Sequence, residues 1–354
     1  MNTLPGVRIT TEVISANPKG NSPNIVALVG ASEKADMSGV AQPYKFDTYS
    51  DAASALGTST TNGRLIDMVK SAFDNNASEV VVSVASITGS GSPAEYVIAL
   101  EALRSRDDLS AIAVEDTTAP VATSTEVVID FMANEYKYIR GYVGLPTSSN
   151  IAAYTDRASL LDNDRMFVSG PNYKDIDGNE LPGGITSAIN AMIAENEIDP
   201  AQPITYTPAQ GVDGIGLTLF NADYDTLHNG GVYTTQQKNT VTRVARYLTT
   251  ATGTDEIREG TISKSRDFVA ISLKNLLEGR FVGQKLVDST IADMDAEVNK
   301  RMKELQDEAI VSPDQDFSVI VKKTPNTNDS VDVIVNYYAV YPLNSINLNL
   351  TINI

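Results

Sequence analysis

Two hydrophobic rhythms divide this chain of 354 residues. From Asn24 to about Gln210, short apolar runs alternate with longer amphipathic stretches. The runs Ile25–Gly30, Glu79–Ser86, Ala111–Glu115, Tyr138–Gly144, Arg165–Ser169 and Ile204–Tyr206 predict strands. Thr61–Asn75, Pro93–Arg104, Ser124–Glu135, Ile151–Leu161 and Ile185–Glu195 predict helices. Each helix opens beside a capping or breaking residue, as at Ser92-Pro93, where proline takes the first helical position. Alternation at this spacing argues for βαβ units, and so for an α/β body over residues 23–230 with a mostly parallel sheet flanked by helices.

Past Gly230 the texture changes. Thr235–Thr249 and Lys264–Glu278 predict amphipathic helices. Leu286–Glu308 predicts a longer one, with Ile291, Met294, Val298, Met302 and Leu305 three or four residues apart. Phe317–Lys322 and Val331–Tyr341 predict strands joined by a turn at Pro325–Asn328. Residues 231–344 thus form a C-terminal α+β domain.

The two ends share a third rhythm. In residues 345–354, Ile346, Leu348, Leu350, Ile352 and Ile354 alternate without error with Asn347, Asn349, Thr351 and Asn353, the pattern of a strand with one buried face. In residues 1–22, Val7, Ile9, Thr11 and Val13 alternate with Arg8, Thr10, Glu12 and Ile14, bracketed by Pro5-Gly6 and Pro18–Gly20. An arm of that length reaches on the order of 60 Å when extended. Each terminal strand either completes the sheet of its own domain or joins a sheet elsewhere.

Composition narrows the classes. No run approaches the ~18 apolar residues of a membrane helix, and Met1–Gly6 has neither the basic nor the apolar region of a secretory signal. With 0 cysteines there is no disulfide, thiolate metal site or cysteine nucleophile. The net charge of −18 argues against a nucleic-acid partner, which requires clustered Lys and Arg. Like charges also repel, so any self-assembly must rest on specific strand or shape contacts.

Candidate chemistry is thin. His228 is the only histidine and stands before Gly230-Gly231 as a loop residue, so a histidine triad or multi-histidine metal site is not expected. Gly89-Ser-Gly91-Ser-Pro-Ala94 lies between a predicted strand and helix, like a dinucleotide loop, with Glu115 about 20 residues on as a ribose-binding acid. Against that reading, Pro93 removes one N–H from the helix terminus that would hold the pyrophosphate. Asp175, Asp177 and Glu180 have part of a calcium-loop spacing but lack the third early carboxylate and the bidentate twelfth-position glutamate. Asp162 and Asp164 read as helix-end caps. No catalytic, cofactor or metal residue is assigned.

Several segments, taken in order, resemble the contractile tail sheath family, whose members include sheaths of contractile-tailed phages, R-type bacteriocins (tailocins) and defective prophage particles. Leu4–Val13 is similar to the family's N-terminal arm with its early Pro-Gly, and Asn24–Ala31 to its first core strand. Phe46–Gly57, Arg246–Thr250, Ile257–Asp267, Phe281–Gly283 and Tyr337–Ile346 carry the resemblance through the rest of the chain, none of them as a catalytic motif. The compact length looks most like the Gram-positive tailocin or prophage type, such as a diffocin-like particle.

The resemblance implies a structural subunit with a subtilisin-like body and no enzymatic activity. It implies synthesis in the bacterial cytoplasm and a place in a released phage-tail-like particle. Stacked hexameric rings of the chain would surround an inner tube between baseplate and tail terminator proteins, with no cofactor and no membrane insertion. The N- and C-terminal arms would add strands to neighbouring subunits and keep the array connected while it shortens and widens. On the helix 286–308, Lys300, Arg301 and Lys303 would then face the tube as a basic patch, unless Glu297, Glu304 and Asp307 make that face a balanced, solvated one. Two other readings compete: a nucleotide- or dinucleotide-using α/β enzyme centred on Gly89–Ala94, and a surface-layer or pilus component, which the missing signal disfavours.

Overall fold

A computed structural model describes residues 25–32, 42–58, 64–87, 91–197, 199–327 and 329–344. The strands, in order, are β1 (Ile25–Ala31), β2 (Tyr44–Phe46), β3 (Val80–Ser86), β4 (Leu109–Val114), β5 (Arg140–Val143), β6 (Met166–Gly170), β7 (Tyr173–Lys174), β8 (Gly214–Ile215), β9 (Val232–Lys238), β10 (Val241–Arg246), β11 (Ser318–Lys323) and β12 (Val331–Asn336). The helices are α1 (Tyr49–Leu56), α2 (Leu65–Asp74), α3 (Pro93–Ala102), α4 (Ala119–Asn134), α5 (Ile151–Leu161), α6 (Gly183–Asn196), α7 (Asn221–Asn229), α8 (Asp255–Arg258), α9 (Gly260–Arg280) and α10 (Asp288–Asp307).

Eight strands form one sheet in the order β10-β9-β6-β5-β4-β1-β3-β2. All neighbours are parallel except the outermost pairs, β9–β10 and β2–β3. Apolar runs such as Ile25–Ala31 and Val80–Ser86 are buried along their whole length because helices cover both faces of the sheet. One face packs on α1, α2 and α6, the other on α3, α4, α5 and α7. Local signals set the helix ends. The Ser92 hydroxyl and the Glu95 carboxylate close a capping box on α3, and Asn150 accepts from the Ala153 N–H at the start of α5. The α/β body and mostly parallel sheet expected from the sequence are borne out.

A further layer stands on this body. Val269, Leu273 and Leu277 of α9, with Phe281 just past its end, pack against Val298, Met302 and Leu305 of α10. The β11–β12 ribbon lays Val319, Val333 and Val335 on the same cluster.

Three expectations need correction. Thr235–Thr249 is not a helix but most of the β9–β10 hairpin, with Val241 opposite Lys238 and Val244 opposite Thr235. Val241, Val244 and Tyr247 fit a helical spacing, but Thr234, Thr235, Val241, Thr242 and Val244 are β-branched, and Asn239 turns the chain at φ 60°. The sheet consequently runs through Arg246, so residue 230 falls inside the α/β layer and not at its border. Ile204–Tyr206 is not a strand, although the segment lies along the outer edge of β10: the Tyr206 N–H donates to the Val244 carbonyl at 2.9 Å and the Ala209 N–H to Thr242 at 3.0 Å. Finally, β12 stops at Asn336, five residues short of Tyr341.

Candidate strand-accepting surface and its anchor

The β11–β12 ribbon is a two-stranded sheet, and neither outer edge pairs with a strand among the described residues. An isolated two-stranded ribbon is marginal in water, and its free edges present N–H and C=O groups ready for another strand. Its inner face is held by α10. Its outer face carries Ile320 directly opposite Ile334, at 49% and 39% exposure, between the pairs Ser318–Asn336 and Lys322–Asp332. A strand added at either edge would extend this sheet with one face over α10 and the other in line with Ile320 and Ile334.

The ribbon reaches the body through α9, whose first eight residues, Gly260–Asp267, are all buried. Gly260 is required there, because a Cβ would strike the Tyr247 ring. Lys264 Nζ donates to the carbonyls of Ala194 and Glu197 at 2.8 and 2.5 Å, where a cation suits the end of α6. Arg140, on central strand β5, donates from Nη2 to Asp267 Oδ2 at 2.8 Å, both side chains wholly buried. Arg266 pairs with Asp164 at 2.5 Å, and Arg165 with the same carboxylate at 3.1 Å.

Burial pushes the Asp267 carboxyl up, to about 8, against the pull of Arg140, Arg165 and Arg266. Asp164 is also buried, yet the charges of Arg266 and Arg165 outweigh that and hold it below the usual carboxylate range. Burial works against the Arg140 charge, and Asp267 and Glu195 more than restore it. This knot fixes the layer that carries the ribbon to the sheet.

The residues singled out from sequence fall in three places. Val7, Ile9, Thr11 and Val13 of the first arm, and Ile346, Leu348, Leu350, Ile352 and Ile354 of the last, lie outside the described residues. Lys300, Arg301 and Lys303 share α10 but not one environment. Lys300 is exposed, and Lys303 pairs with Asp307 at 3.2 Å. Half-buried Arg301 donates from Nε to Ser272 Oγ at 2.6 Å and pairs with Glu304 at 3.0 Å, so it ties α10 to α9.

Of the dinucleotide loop, Gly89 and Ser90 lie outside the described residues, but the acid of that reading is already engaged. After β1 the chain places β3 on one side and β4 on the other, and open α/β sheets hold ligands at the carboxyl ends of strands at such a switch point. Glu115 occupies it, accepting from the N–H groups of Ala31 at 2.5 Å and Arg64 at 2.8 Å and from the Tyr96 hydroxyl at 3.3 Å. Burial raises its carboxyl, and those backbone donors oppose the shift. The acid expected to hold a ribose is thus consumed by the protein's own backbone. Asp175 likewise spends its carboxylate on the N–H groups of Asp177 and Asn179 as a turn. Sequence reasoning missed Arg140 and Asp267; an arginine inside the apolar run Tyr138–Gly144 was the available signal.

No family model matches the chain. Over 157 residues it is 28% identical to the tail sheath protein of Bacillus phage SP01, a match spanning 42% of this chain and 27% of that protein. The aligned region is thus about a quarter of the curated relative's length. Among solved structures, the contracted helical sheath of the anti-feeding prophage superposes with a TM-score of 0.74 at 14% identity over 99% of both chains. The contracted sheath complex of the extracellular contractile injection system PVC gives 0.74 at 13% identity, covering 99% of this chain and 98% of that one. A sheath tail protein of Desulfitobacterium hafniense gives 0.66 at 10% identity over 95% and 100% of the two chains.

The architecture is therefore a contractile sheath fold. The likeness of fold runs over 99% of the chain, and the sequence match covers 42% of it.

Proposed function

We propose that this chain is the structural subunit of a contractile tail sheath, polymerising around an inner tube and shortening to drive it through a target envelope. The observation that carries the reading is the β11–β12 ribbon, a small sheet whose two outer edges pair with no strand among the described residues, mounted on an α/β body. Its natural complement is a pair of extended arms from other copies: the alternating segments 7–13 and 346–354 supply main-chain hydrogen bonds for affinity and alternate side chains for register. Many such exchanges multiply modest contacts into a durable mesh, and the work of contraction comes from a bistable interface without nucleotide. Stacked hexameric rings, an inner tube protein, baseplate and terminator partners, and a released particle made in a bacterial cytoplasm complete the proposal. The exposed cations Lys300 and Lys303 of α10 are its proposed tube contacts.

Electron microscopy of the purified chain tests the reading: hollow tubes are expected, whereas discrete particles at all concentrations would contradict it. A nucleotide-using enzyme is disfavoured by the Glu115 plug.

A further inference from the structure

The tip of the β9–β10 hairpin carries charge that its surroundings do not neutralise. Gln236 stands opposite Arg243 and Lys238 opposite Val241, so these four side chains share one face. On that face β9 emerges from the core at Gln236 and Lys238 is exposed, while on β10 Val241 is exposed and Arg243 half-buried. Tyr206, on the segment beside β10, completes the surface. Its ring is 49% exposed, with Lys238 Nζ 5.4 Å and the Arg243 guanidinium carbon 5.6 Å from its centre. Neither cation forms an ion pair among the described residues, and the buried Arg243 Nε has no hydrogen-bond partner there. The chain has 27 basic against 45 acidic residues, so two cations on one ring without a carboxylate stand apart from its average surface.

The backbone around the ring is set for this arrangement. Tyr206 is held at φ 70°, a left-handed conformation that is unfavourable for a residue with a bulky side chain. The Tyr206 N–H donates to the Val244 carbonyl at 2.9 Å, the Val244 N–H to the Thr207 carbonyl at 3.0 Å, and Pro208 bridges to Arg243. These contacts close the outer edge of β10, so a partner meets side chains here and not an open strand. The strain leaves the ring half in solvent and presents it to whatever approaches.

We propose that Tyr206, Lys238 and Arg243 form a docking surface for the acidic surface of a second copy of this chain. The proposal rests on the sheath reading, which packs many copies of a chain with net charge −18 side by side. Such packing needs local attraction where the overall charge repels. An arginine stacked on a tyrosine is weakly hydrated and pre-positioned for a carboxylate, and both residue types suit the centre of an interface. A patch of one sign cannot face itself across a two-fold axis. The contact is therefore heterologous, and it repeats as a ring or helix without stopping at a dimer. Two surface cations hold one pair of copies weakly, and their effect accumulates over an array.

The test compares full-length wild type with Lys238→Glu/Arg243→Glu. Lys70→Glu/Lys285→Glu, at exposed lysines elsewhere on the body, controls for the same change of net charge. Sedimentation and electron microscopy across a concentration series score polymer, and thermal melting scores folding. The hairpin variant should need at least a tenfold higher concentration to form tubes, and the control should match wild type. Lys238→Gln/Arg243→Gln, which removes charge without reversing it, should shift the threshold in the same direction should the glutamate variant melt early. Tubes from both hairpin variants at the wild-type concentration, or an equal loss in the control, would overturn the proposal. So would loss of binding to a double-stranded DNA fragment in the hairpin variant with tube formation unchanged, which would assign the face to a polyanion. Small wild-type oligomers that the hairpin variant lacks, without tubes, would support the contact and count against the sheath reading. A wild type that stays monomeric throughout would overturn the contact.

Discussion

Arg140 and Asp267 meet at 2.8 Å with no solvent on either side chain, joining the central strand β5 to helix α9 across 127 positions of sequence. The contact makes the ribbon-bearing layer and the sheet one mechanical piece. The proposed sheath role calls for that rigidity, because in it movement is concentrated between subunits and not dissipated within the body.

Breaking this pair from one side leaves a buried group without its partner. Arg140→Met is expected to cost about 3–5 kcal/mol in urea unfolding, and Asp267→Leu a similar amount. Replacing both together should recover most of the loss, since a well-packed apolar pair is tolerated where a lone charge is not. Losses that simply add in the double variant would show that the two residues are not coupled.

His228 gives a pH test with a single titrating imidazole. Its Nε2 lies 2.7 Å from Thr234 Oγ1, and burial, with Arg246 and Arg258 nearby, holds its pKa down to about 4 against an ordinary 6.5. The folded state therefore binds this proton less readily than the unfolded chain. Stability from the neutral ring is complete above about 6.5 and is lost as pH falls toward 4. Melting temperature should fall over that window in wild type, and less steeply in His228→Gln. Equal slopes would contradict the assignment.

Glu115 separates a plugged crevice from an active one. Glu115→Ala strips acceptors from the buried N–H of Ala31 and from that of Arg64, for an expected loss of about 1–3 kcal/mol. Neither wild type nor variant should be stabilised by NAD or ATP in a thermal shift assay. A concentration-dependent rise with either nucleotide would restore the enzyme reading.

The charge on α10 is best tested without Arg301, whose bond to Ser272 holds two helices together. Lys300→Glu/Lys303→Glu should leave sheath-only polymers intact and reduce assembly on tubes. Normal extended tails in that variant would remove these two residues from the tube contact.

How much was legible in the sequence depended on whether the deciding interaction was local. Helix α5 was readable end to end, because Asn150 caps its start and Asp162 turns left-handed at its close. The parallel strands announced themselves as apolar runs bounded by helices. The β9–β10 hairpin did not, since Val241, Val244 and Tyr247 fit a helical period and only pairing beside β6 overrides it. The Arg140–Asp267 contact was invisible for the same reason: nothing near either residue in sequence names the other. Glu115 was found for the wrong purpose. Its place at the end of β4 was read correctly, but the backbone donors that consume it come from β1 and from the residue preceding α2.

The strand arms carry the central claim, and their removal tests it most directly. The full-length chain and a variant lacking residues 346–354 would be compared by electron microscopy for polymer and by thermal melting for folding. The account predicts hollow tubes from the full chain, and discrete, fully folded subunits with an unchanged melting temperature from the truncated one. Tubes formed equally well without residues 346–354 would contradict it.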